Sequence, residues 1–237
     1  MLACGHFSAS GHASFCTHSL PQCCRGTPAV DEELARLPAL LLPEHFPELL
    51  IVDGGSDDGS VPLAVAWCER SAVPARVVAL DAPHPLAQVL LEGATLVAGD
   101  AVLLLDPATT CTADELVGLV RGLEHGVELV LPSCKPMGAT PRPSVLERGI
   151  RPLLPARRSH LSAQTHLIMG PRLWRRETFL ACLPKPNARW PRASMLAAAL
   201  ARDAGVRTVP LAWTDCASPL AASRLEALGL LAGVRGR

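Results

Sequence analysis

Between residues 49 and 131 short apolar runs, each followed by a polar turn, alternate with stretches that have the composition of a helix. Such alternation predicts parallel strands joined by right-handed helical crossovers, because parallel neighbours need a long connection back to the same end of the sheet. We therefore predict an α/β fold with a doubly wound, mostly parallel sheet and helices on both faces. A chain of 237 residues is long enough to form one such domain. The four predicted strands, which we expect to be parallel neighbours, are 48–53, 76–81, 101–106 and 127–131.

Residues typical of helix ends occur between these apolar runs and also after the last of them. Thr112 and Glu115 have the spacing of a capping box. Ser60 is a candidate N-cap, and Gly205 is a candidate for the residue that follows a helix. The predicted helices are 60–69, 86–97, 112–124, 175–183, 194–204 and 220–231, with a short one opening at Asp31 and a last strand at 206–210.

An aspartate follows each of the first three predicted strands: Asp53, Asp81 and Asp106. Ligands of parallel sheets bind at the carboxyl edge, where these strands end. The three side chains therefore predict an anionic rim at one edge of the sheet, with Asp53 and Asp106 at the same end. An aspartate at a strand end is also a common turn former or helix cap, and the pattern alone leaves that interpretation open.

Charge and cysteine usage restrict the partners and the compartment. The formal net charge is zero, so overall charge does not indicate a nucleic-acid partner. Residues 133–176 contain nine basic side chains and one acidic, a balance that suits either a solvated surface or a diphosphate. Nine cysteines and no apolar run long enough for a membrane span predict a cytoplasmic protein, with peripheral membrane association left open.

The segment 51–60, Ile-Val-Asp-Gly-Gly-Ser-Asp-Asp-Gly-Ser, resembles the motif VDGGSxDGT of family 2 glycosyltransferases. Gly54 and Gly55 allow the backbone to turn tightly beside a flat base or ribose. Asp53 can accept hydrogen bonds from such a ligand, and Ser56 can fix the turn. A plain β-turn after a strand is the alternative interpretation.

Four further segments are similar to the family's motifs in the same order, so that the resemblance covers roughly residues 27–213. They are 28–33 (PAxNEE), 93–106 (GAxxAxGDxxxxLDxD), 170–177 (GxxxxxRRE) and 204–210 (aGxrvxxvP).

The resemblance implies transfer of a sugar from a nucleotide-diphospho-sugar, uridine- or guanosine-linked, to an unknown acceptor. It also implies a divalent metal, Mn²⁺ or Mg²⁺, held by carboxylates near the diphosphate, with Asp106 contacting the metal or the diphosphate. The nucleotide-binding residues that it implies are Pro28, Glu32, Asp53, Gly54, Gly55, Ser56 and Asp81.

The sequence departs from the family's pattern where the chemistry is expected. The DxD position is Asp106-Pro107-Ala108, which lacks the second carboxylate, and no carboxylate occurs between Glu177 and Asp203. The resemblance implies a downstream acidic pair just before the predicted helix 194–204, where an Asp or Glu would deprotonate the acceptor hydroxyl. This sequence has Pro191-Arg192-Ala193-Ser194 there, so the catalytic base is unassigned.

Metal-free transfer is possible if cations replace the metal. Arg172, Arg175 and Arg176 are candidate diphosphate ligands, because arginine makes bidentate contacts to phosphate, and the other arginines that could supply charge are Arg148, Arg151, Arg157 and Arg158.

Two functional classes remain open on these residues. One is a glycosyltransferase with weak or lost metal dependence, and the other is a catalytically silent relative that binds a nucleotide or a protein. A nucleotidyltransferase is a weaker alternative, since residues 27–34 lack the Gly-rich basic loop that it needs.

The two ends of the chain carry weaker patterns. Residues 21–27 lack the apolar run expected of a first strand, so we predict an irregular leader over 1–26, a glycosyltransferase-like domain over 27–215, and a helix and tail over 216–237. The seven His and Cys residues of the leader match no paired zinc template, and accidental thiols are the alternative to a zinc site. They are Cys4, His6, His12, Cys16, His18, Cys23 and Cys24.

Overall fold

The computed structural model describes most of the central chain in several stretches. The described residues are 2–5, 14–18, 34–35, 46, 48–57, 59–105, 111–134, 170–189 and 191–211; for 2–5, 14–18 and 134 only the backbone is described. Within these residues the chain forms eight strands, which join in a single sheet, and five α-helices.

The strands are β1 (Leu2–Gly5), β2 (Ser14–His18), β3 (Glu48–Asp53), β4 (Ala75–Ala79), β5 (Ala101–Leu104), β6 (Leu129–Cys134), β7 (Arg172–Arg175) and β8 (Val206–Leu211). The helices are α1 (Ser60–Arg70), α2 (Leu86–Leu96), α3 (Ala113–Gly122), α4 (Arg176–Ala181) and α5 (Pro191–Ala201).

The sheet has the strand order β4-β3-β2-β1-β5-β7-β6-β8 and contains both parallel and antiparallel pairs. The parallel pairs are β2 with β3, β3 with β4, β2 with β5, and β6 with β8. Strand β7 is antiparallel to both β5 and β6, and β1 is antiparallel to β2 and β5. The predicted α/β class is confirmed, and the sheet is mixed.

The four strands predicted to be neighbours are not all adjacent, and this prediction is corrected. Only β3 and β4 pair directly, since β1 and β2 separate β3 from β5 and β7 separates β5 from β6. Strand β7 has only four residues, and two of them are arginines, so no apolar run marked it in the sequence.

Two apolar clusters, one on each face of the sheet, confirm the helices predicted on both faces. One cluster joins Leu50, Val52 and Leu104 of the sheet to buried residues of α2, α4 and α5. The other joins Leu49 and Leu103 to residues of α1 and α3. Neighbouring residues of each strand thus enter opposite clusters, as the two-residue period of a strand requires. No helix within the described ranges is long and apolar enough to cross a membrane.

Strands β1 and β2 lie in the segment predicted to be an irregular leader, and that prediction is corrected for these two stretches. Strand β2 pairs with β3 and β5 and so supplies a first strand upstream of the position where the sequence lacked one. Backbone hydrogen bonding on both edges can make a short stretch into a strand although its side chains give no strong signal. The boundary predicted at residue 26 would separate these strands from their own sheet.

The predicted helix at 220–231 lies outside the described residues.

Of three helix ends for which the sequence predicted a capping residue, one has the predicted residue and two have another. The capping box of α3 is confirmed: Thr112 N donates to Glu115 Oε2 at 2.8 Å, and Glu115 N donates to Thr112 Oγ1. Ser60 is the first residue of α1, whereas the N-cap is Gly59 with a φ of 83°. Helix α5 ends at Ala201, and the left-handed residue after it is Asp203 rather than Gly205.

Gly205 is instead a close-approach position between β6 and β8. Its N–H donates to Glu128 Oε2 at 2.9 Å, and its carbonyl oxygen accepts from Glu128 N at 2.7 Å. Glu128 Oε1 also accepts from the hydroxyl of Thr178 at 2.7 Å, which ties α4 to the same point. A Cβ on Gly205 would lie 2.0 Å from the carbonyl oxygen of Gly126. Only glycine therefore allows the two backbones to approach this closely.

We expect Gly205→Ala to lower the free energy of unfolding by about 1–3 kcal/mol, because a backbone carbonyl cannot move aside as a side chain can. Gly118→Ala is the control, since the nearest atom to its new Cβ is 3.7 Å away and the helix gains up to about 1 kcal/mol in propensity. Urea denaturation measures both values. Equal stability of the two variants would contradict the close approach.

Candidate functional site

The carboxyl ends of the parallel strands meet at one edge of the sheet, which we call the carboxyl edge. Asp53 is the last residue of β3, and β3 and β5 both run parallel to β2, so they end at this same edge. Strand β7 runs the opposite way, so its first residue, Arg172, also lies there, paired with Leu104 at the end of β5. The carboxyl edge is where the sequence predicted the site.

The carboxylate of Asp53 is turned into its own loop. Oδ2 accepts from Gly55 N at 2.9 Å and from Ser56 N at 2.7 Å, while Oδ1 accepts from the Ser56 hydroxyl at 2.5 Å. The residue is only 5% exposed. These contacts occupy three of the roughly four acceptor positions of a carboxylate. Asp53 therefore mainly stabilises the loop that follows β3, as expected of a turn-forming aspartate. Few of its hydrogen-bond acceptor positions remain available to a ligand.

The loop after β3 is joined to the loop after β4. Leu80 N donates to Asp53 O at 3.0 Å, and His84 N donates to Gly54 O at 2.8 Å. Gly55 has a φ of 91°, and a Cβ on it would lie 2.0 Å from the carbonyl oxygen of Ala82. The glycine is thus required by both its backbone angle and the contact, and the two loops form one unit.

Asp81 and His84 stand at the rim of this unit. The Asp81 side chain is 97% exposed, and its Oδ1 lies 3.5 Å from Nε2 of His84, at the limit of a hydrogen bond. Asp81 is therefore available to a ligand from solvent, in line with its predicted place at the edge. The pairing of Asp81 with His84 was not predicted from the sequence, although their three-residue spacing across a turn was the signal for it.

Three of the predicted site residues lie outside the described residues, namely Pro28, Glu32 and Asp106. Within the described part of the chain, β5 ends at Leu104 and is followed by the buried Leu105. No group of three or more His, Cys, Asp or Glu side chains that could hold a metal is found in that part of the chain.

The three arginines predicted as diphosphate ligands are separated by the structure. Arg172 lies at the carboxyl edge and is only 2% exposed. Arg175 pairs with Ala101 at the other end of β5, and its guanidinium donates to the carbonyl oxygens of three residues near the end of α3. These acceptors are Val127 O at 3.1 Å, Glu124 O at 3.1 Å and Leu123 O at 3.3 Å.

Arg176 also lies at the far end, where its Nε donates to Val97 O at 3.0 Å and its backbone N to Asp100 O at 2.8 Å. Both arginines thus bind backbone carbonyls at the edge opposite to Asp53. The structure therefore places Arg175 and Arg176 away from the carboxyl edge, where the diphosphate is expected.

Two described cysteines, the partly buried Cys68 and the buried Cys182, have thiols with raised pKa values. Burial raises the pKa of the Cys68 thiol to about 11. Burial also raises the pKa of Cys182, which is 1% exposed, and the nearby Glu128 adds to this while Arg202 opposes it. A thiol with a raised pKa is protonated at neutral pH and is a poor nucleophile, so neither residue is a candidate for covalent chemistry.

The first turn of α5 occupies the position where the resemblance placed an acidic pair. It consists of Pro191-Arg192-Ala193-Ser194, and Ala193 is fully buried in the cluster that α5 shares with β5 and β6. The turn supplies no carboxylate. The structure therefore adds no general base from this helix.

Comparison with known families and structures agrees with this geometry. The family model described as Glycosyl transferase family 2 matches residues 32–179. No curated protein sequence is a significant match for the chain.

Solved structures share the fold at low sequence identity. Glucosyl-3-phosphoglycerate synthase from Mycobacterium tuberculosis, with Mn²⁺, UDP-glucose and phosphoglyceric acid, has a TM-score of 0.65 and 23% identity over 94% of this chain and 79% of that chain. The same enzyme with Mn²⁺, UDP and glucosyl-3-phosphoglycerate has a TM-score of 0.65 and 21% identity over 93% and 77%. A mycobacterial protein has a TM-score of 0.66 and 21% identity over 93% and 72%.

We expect Asp53→Ala to lower the free energy of unfolding by about 1–3 kcal/mol, because the N–H groups of Gly55 and Ser56 lose their acceptor. Asp57→Ala is the matched control: it removes the same charge from the same loop, but Asp57 is exposed, and the expected change is within about 0.5 kcal/mol. Urea denaturation at neutral pH compares the two. A loss of equal size in both variants would show that charge, and not the turn, is responsible.

Proposed function

Since the chain belongs to glycosyl transferase family 2, we propose that it binds a nucleotide-diphospho-sugar at the carboxyl edge and transfers the sugar to an acceptor hydroxyl. The loops after β3 and β4 would hold the nucleoside, with Gly54, Gly55 and Ser56 on one side and Asp81 on the other. The end of β5, with Asp106 beyond it, would receive the diphosphate.

The observation that supports this proposal most strongly is the pre-formed loop at Asp53. Its turn is closed by three hydrogen bonds to one carboxylate and by two backbone bonds from the next loop. A loop that is ordered before the ligand arrives loses little conformational entropy on binding. Gly55 packs against the backbone of Ala82, whereas Gly54 is partly exposed and has no side chain that would keep a flat ring away from the loop.

The solved neighbours indicate which donor to examine first. The synthase from Mycobacterium tuberculosis has been seen with UDP-glucose, so a uridine-linked donor is the first choice here, and a guanosine-linked donor is the second. The acceptor is left open by this proposal, because an identity near one fifth supports the fold alone.

Transfer requires that the acceptor oxygen bond to the sugar's anomeric carbon while the bond to the diphosphate breaks. The acceptor proton must pass to a base, and the nucleoside diphosphate leaves with the bonding electrons. A positioned general base typically contributes about a hundredfold to ten-thousandfold to the rate. The sequence has no carboxylate from Thr178 to Arg202, where the resemblance places this base, so we infer slow transfer.

The second candidate is a catalytically silent relative that binds a nucleotide, or a protein partner, with the same scaffold. The specific observation in its favour is the loss of expected carboxylates: Ala108 stands at the second DxD position, and no carboxylate occurs from Thr178 to Arg202. Binding experiments cannot separate the two candidates, whereas a transfer assay can.

We expect wild-type protein to bind UDP-glucose or GDP-mannose, and Asp53→Ala to bind at least tenfold more weakly, since a contact worth about 1.4 kcal/mol is lost with the loop. Isothermal titration calorimetry measures the affinities, and circular dichroism confirms that each variant is folded. Asp57→Ala should bind like wild type. Failure of the wild type to bind any uridine or guanosine nucleotide would refute the proposed donor site.

We also expect release of nucleoside diphosphate in the presence of acceptor alcohols to be about a hundredfold or more below that of a metal-dependent relative, because the general base is missing. A coupled nucleotide-release assay with a panel of sugar and glycerate acceptors measures this rate. Rapid turnover would contradict the expectation and would show that a residue outside 178–202 acts as the base. No turnover with intact binding would favour the silent relative.

A further inference from the structure

We propose that Arg172 supplies the positive charge that faces the donor's diphosphate, in place of the divalent ion that the family resemblance implies. This inference rests on the proposed function, because it concerns how the same site holds its donor. Three observations support it: the composition of the expected metal site, the position of Arg172, and its burial.

The residues at the end of β5 do not suit a divalent cation. Mg²⁺ is usually bound through one or two carboxylates together with substrate phosphates and water, and Mn²⁺ prefers oxygen ligands of the same kind. Here Asp106 is followed by Pro107 and Ala108, so the DxD position offers one carboxylate in place of two. Asp53, the buried carboxylate described at this edge, already accepts three hydrogen bonds from its own loop.

The register of the sheet places Arg172 at the carboxyl edge, beside the last residue of β5. It is paired with Leu104, two residues before Asp106 in the sequence. Leu104 and Trp174 belong to the cluster that α2 and α5 cover, and a strand places residues i and i+2 on the same face, so Arg172 projects from that face as well. Ser133 of β6 follows Leu131 on the same face and is also buried.

The burial of Arg172 gives its charge a large effect. It is 2% exposed, so the guanidinium lies in surroundings of low dielectric, where charges interact more strongly than in water. A fixed cation there repels a divalent ion and attracts a diphosphate. Arg172 also interacts with the surrounding protein, and a guanidinium has five N–H donors in a fork that fits phosphate oxygens. The strand holds it in place before the donor binds.

The other arginines described near β7 cannot take this role. Arg175 and Arg176 bind backbone carbonyls at the opposite end of β5. The antiparallel direction of β7 thus places only one of the three at the carboxyl edge. The inferred ligand is therefore the diphosphate of a nucleotide, with Arg172 as its protein-borne counter-charge.

The test compares nucleotides with their nucleosides, in EDTA and in Mn²⁺, by calorimetry on the full chain. Wild-type protein should bind UDP, or GDP, with affinities in the two buffers that agree within about threefold. Arg172→Met should weaken binding of the diphosphate by about tenfold to a hundredfold and leave uridine or guanosine binding unchanged. Arg172→Lys should fall between, because it keeps the charge and loses the fork.

Arg121→Met is the control for loss of one positive charge, because Arg121 is exposed in the last turn of α3, and it should bind like wild type. Two results would overturn the inference. In the first, Mn²⁺ strengthens the binding of UDP tenfold or more, and Arg172→Met has no effect on it. In the second, Arg172→Met weakens nucleoside and diphosphate binding equally, which would mean a structural role for Arg172. A wild type that binds neither nucleoside nor diphosphate would overturn the proposed function itself, and so is distinguishable from both.

Discussion

The hydrogen bonds that Asp53 accepts from Gly55 and Ser56 determine the geometry of the loops after β3 and β4 at the carboxyl edge. They close the turn after β3, and the closed turn presents the carbonyl oxygens of Asp53 and Gly54 to the loop after β4. The contact between Gly55 and Ala82 is possible only when that turn is closed and residue 55 has no side chain. The carboxylate of Asp53, which the sequence predicted as a ligand contact, therefore mainly stabilises the loop. A ligand at this loop would mostly contact backbone atoms.

The direction of β7 is the second determinant of the site. A parallel strand in its place would put Arg175 at the carboxyl edge and Arg172 at the other end. Because β7 is antiparallel, the buried charge of Arg172 lies near the end of β5. Arg175 and Arg176 lie at the opposite edge, where Arg175 donates to carbonyl oxygens between α3 and β6, and Arg176 donates to a carbonyl oxygen between α2 and β5. Strand β7 thus places Arg172, which is suited to an anion, at the edge opposite to Arg175 and Arg176, which stabilise the fold.

The sequence predicted the parts of this structure that depend on local signals. Helix α2, the capping box of α3, strands β3 to β5 and the glycine turn after Asp53 follow from periodicity, capping chemistry and turn residues within a few positions of one another. Strands β1, β2 and β7 were missed because they lack an apolar run, and pairing with neighbouring strands stabilises them. The separate places of Arg172, Arg175 and Arg176 could not be predicted either, since nothing in the sequence Arg-Leu-Trp-Arg-Arg gives the direction of a strand.

The position of β5 has a consequence for the order in which the chain can fold during synthesis. All four residues of β5 are buried, and its partners are β1 and β2 on the N-terminal side and β7 far downstream. A ribosome-bound chain that ends before β7 has one edge of this apolar strand unpaired. Such an edge is a template for pairing with other chains, and non-local pairing is slow. Until β7 emerges, this edge of β5 is therefore open to pairing with other chains.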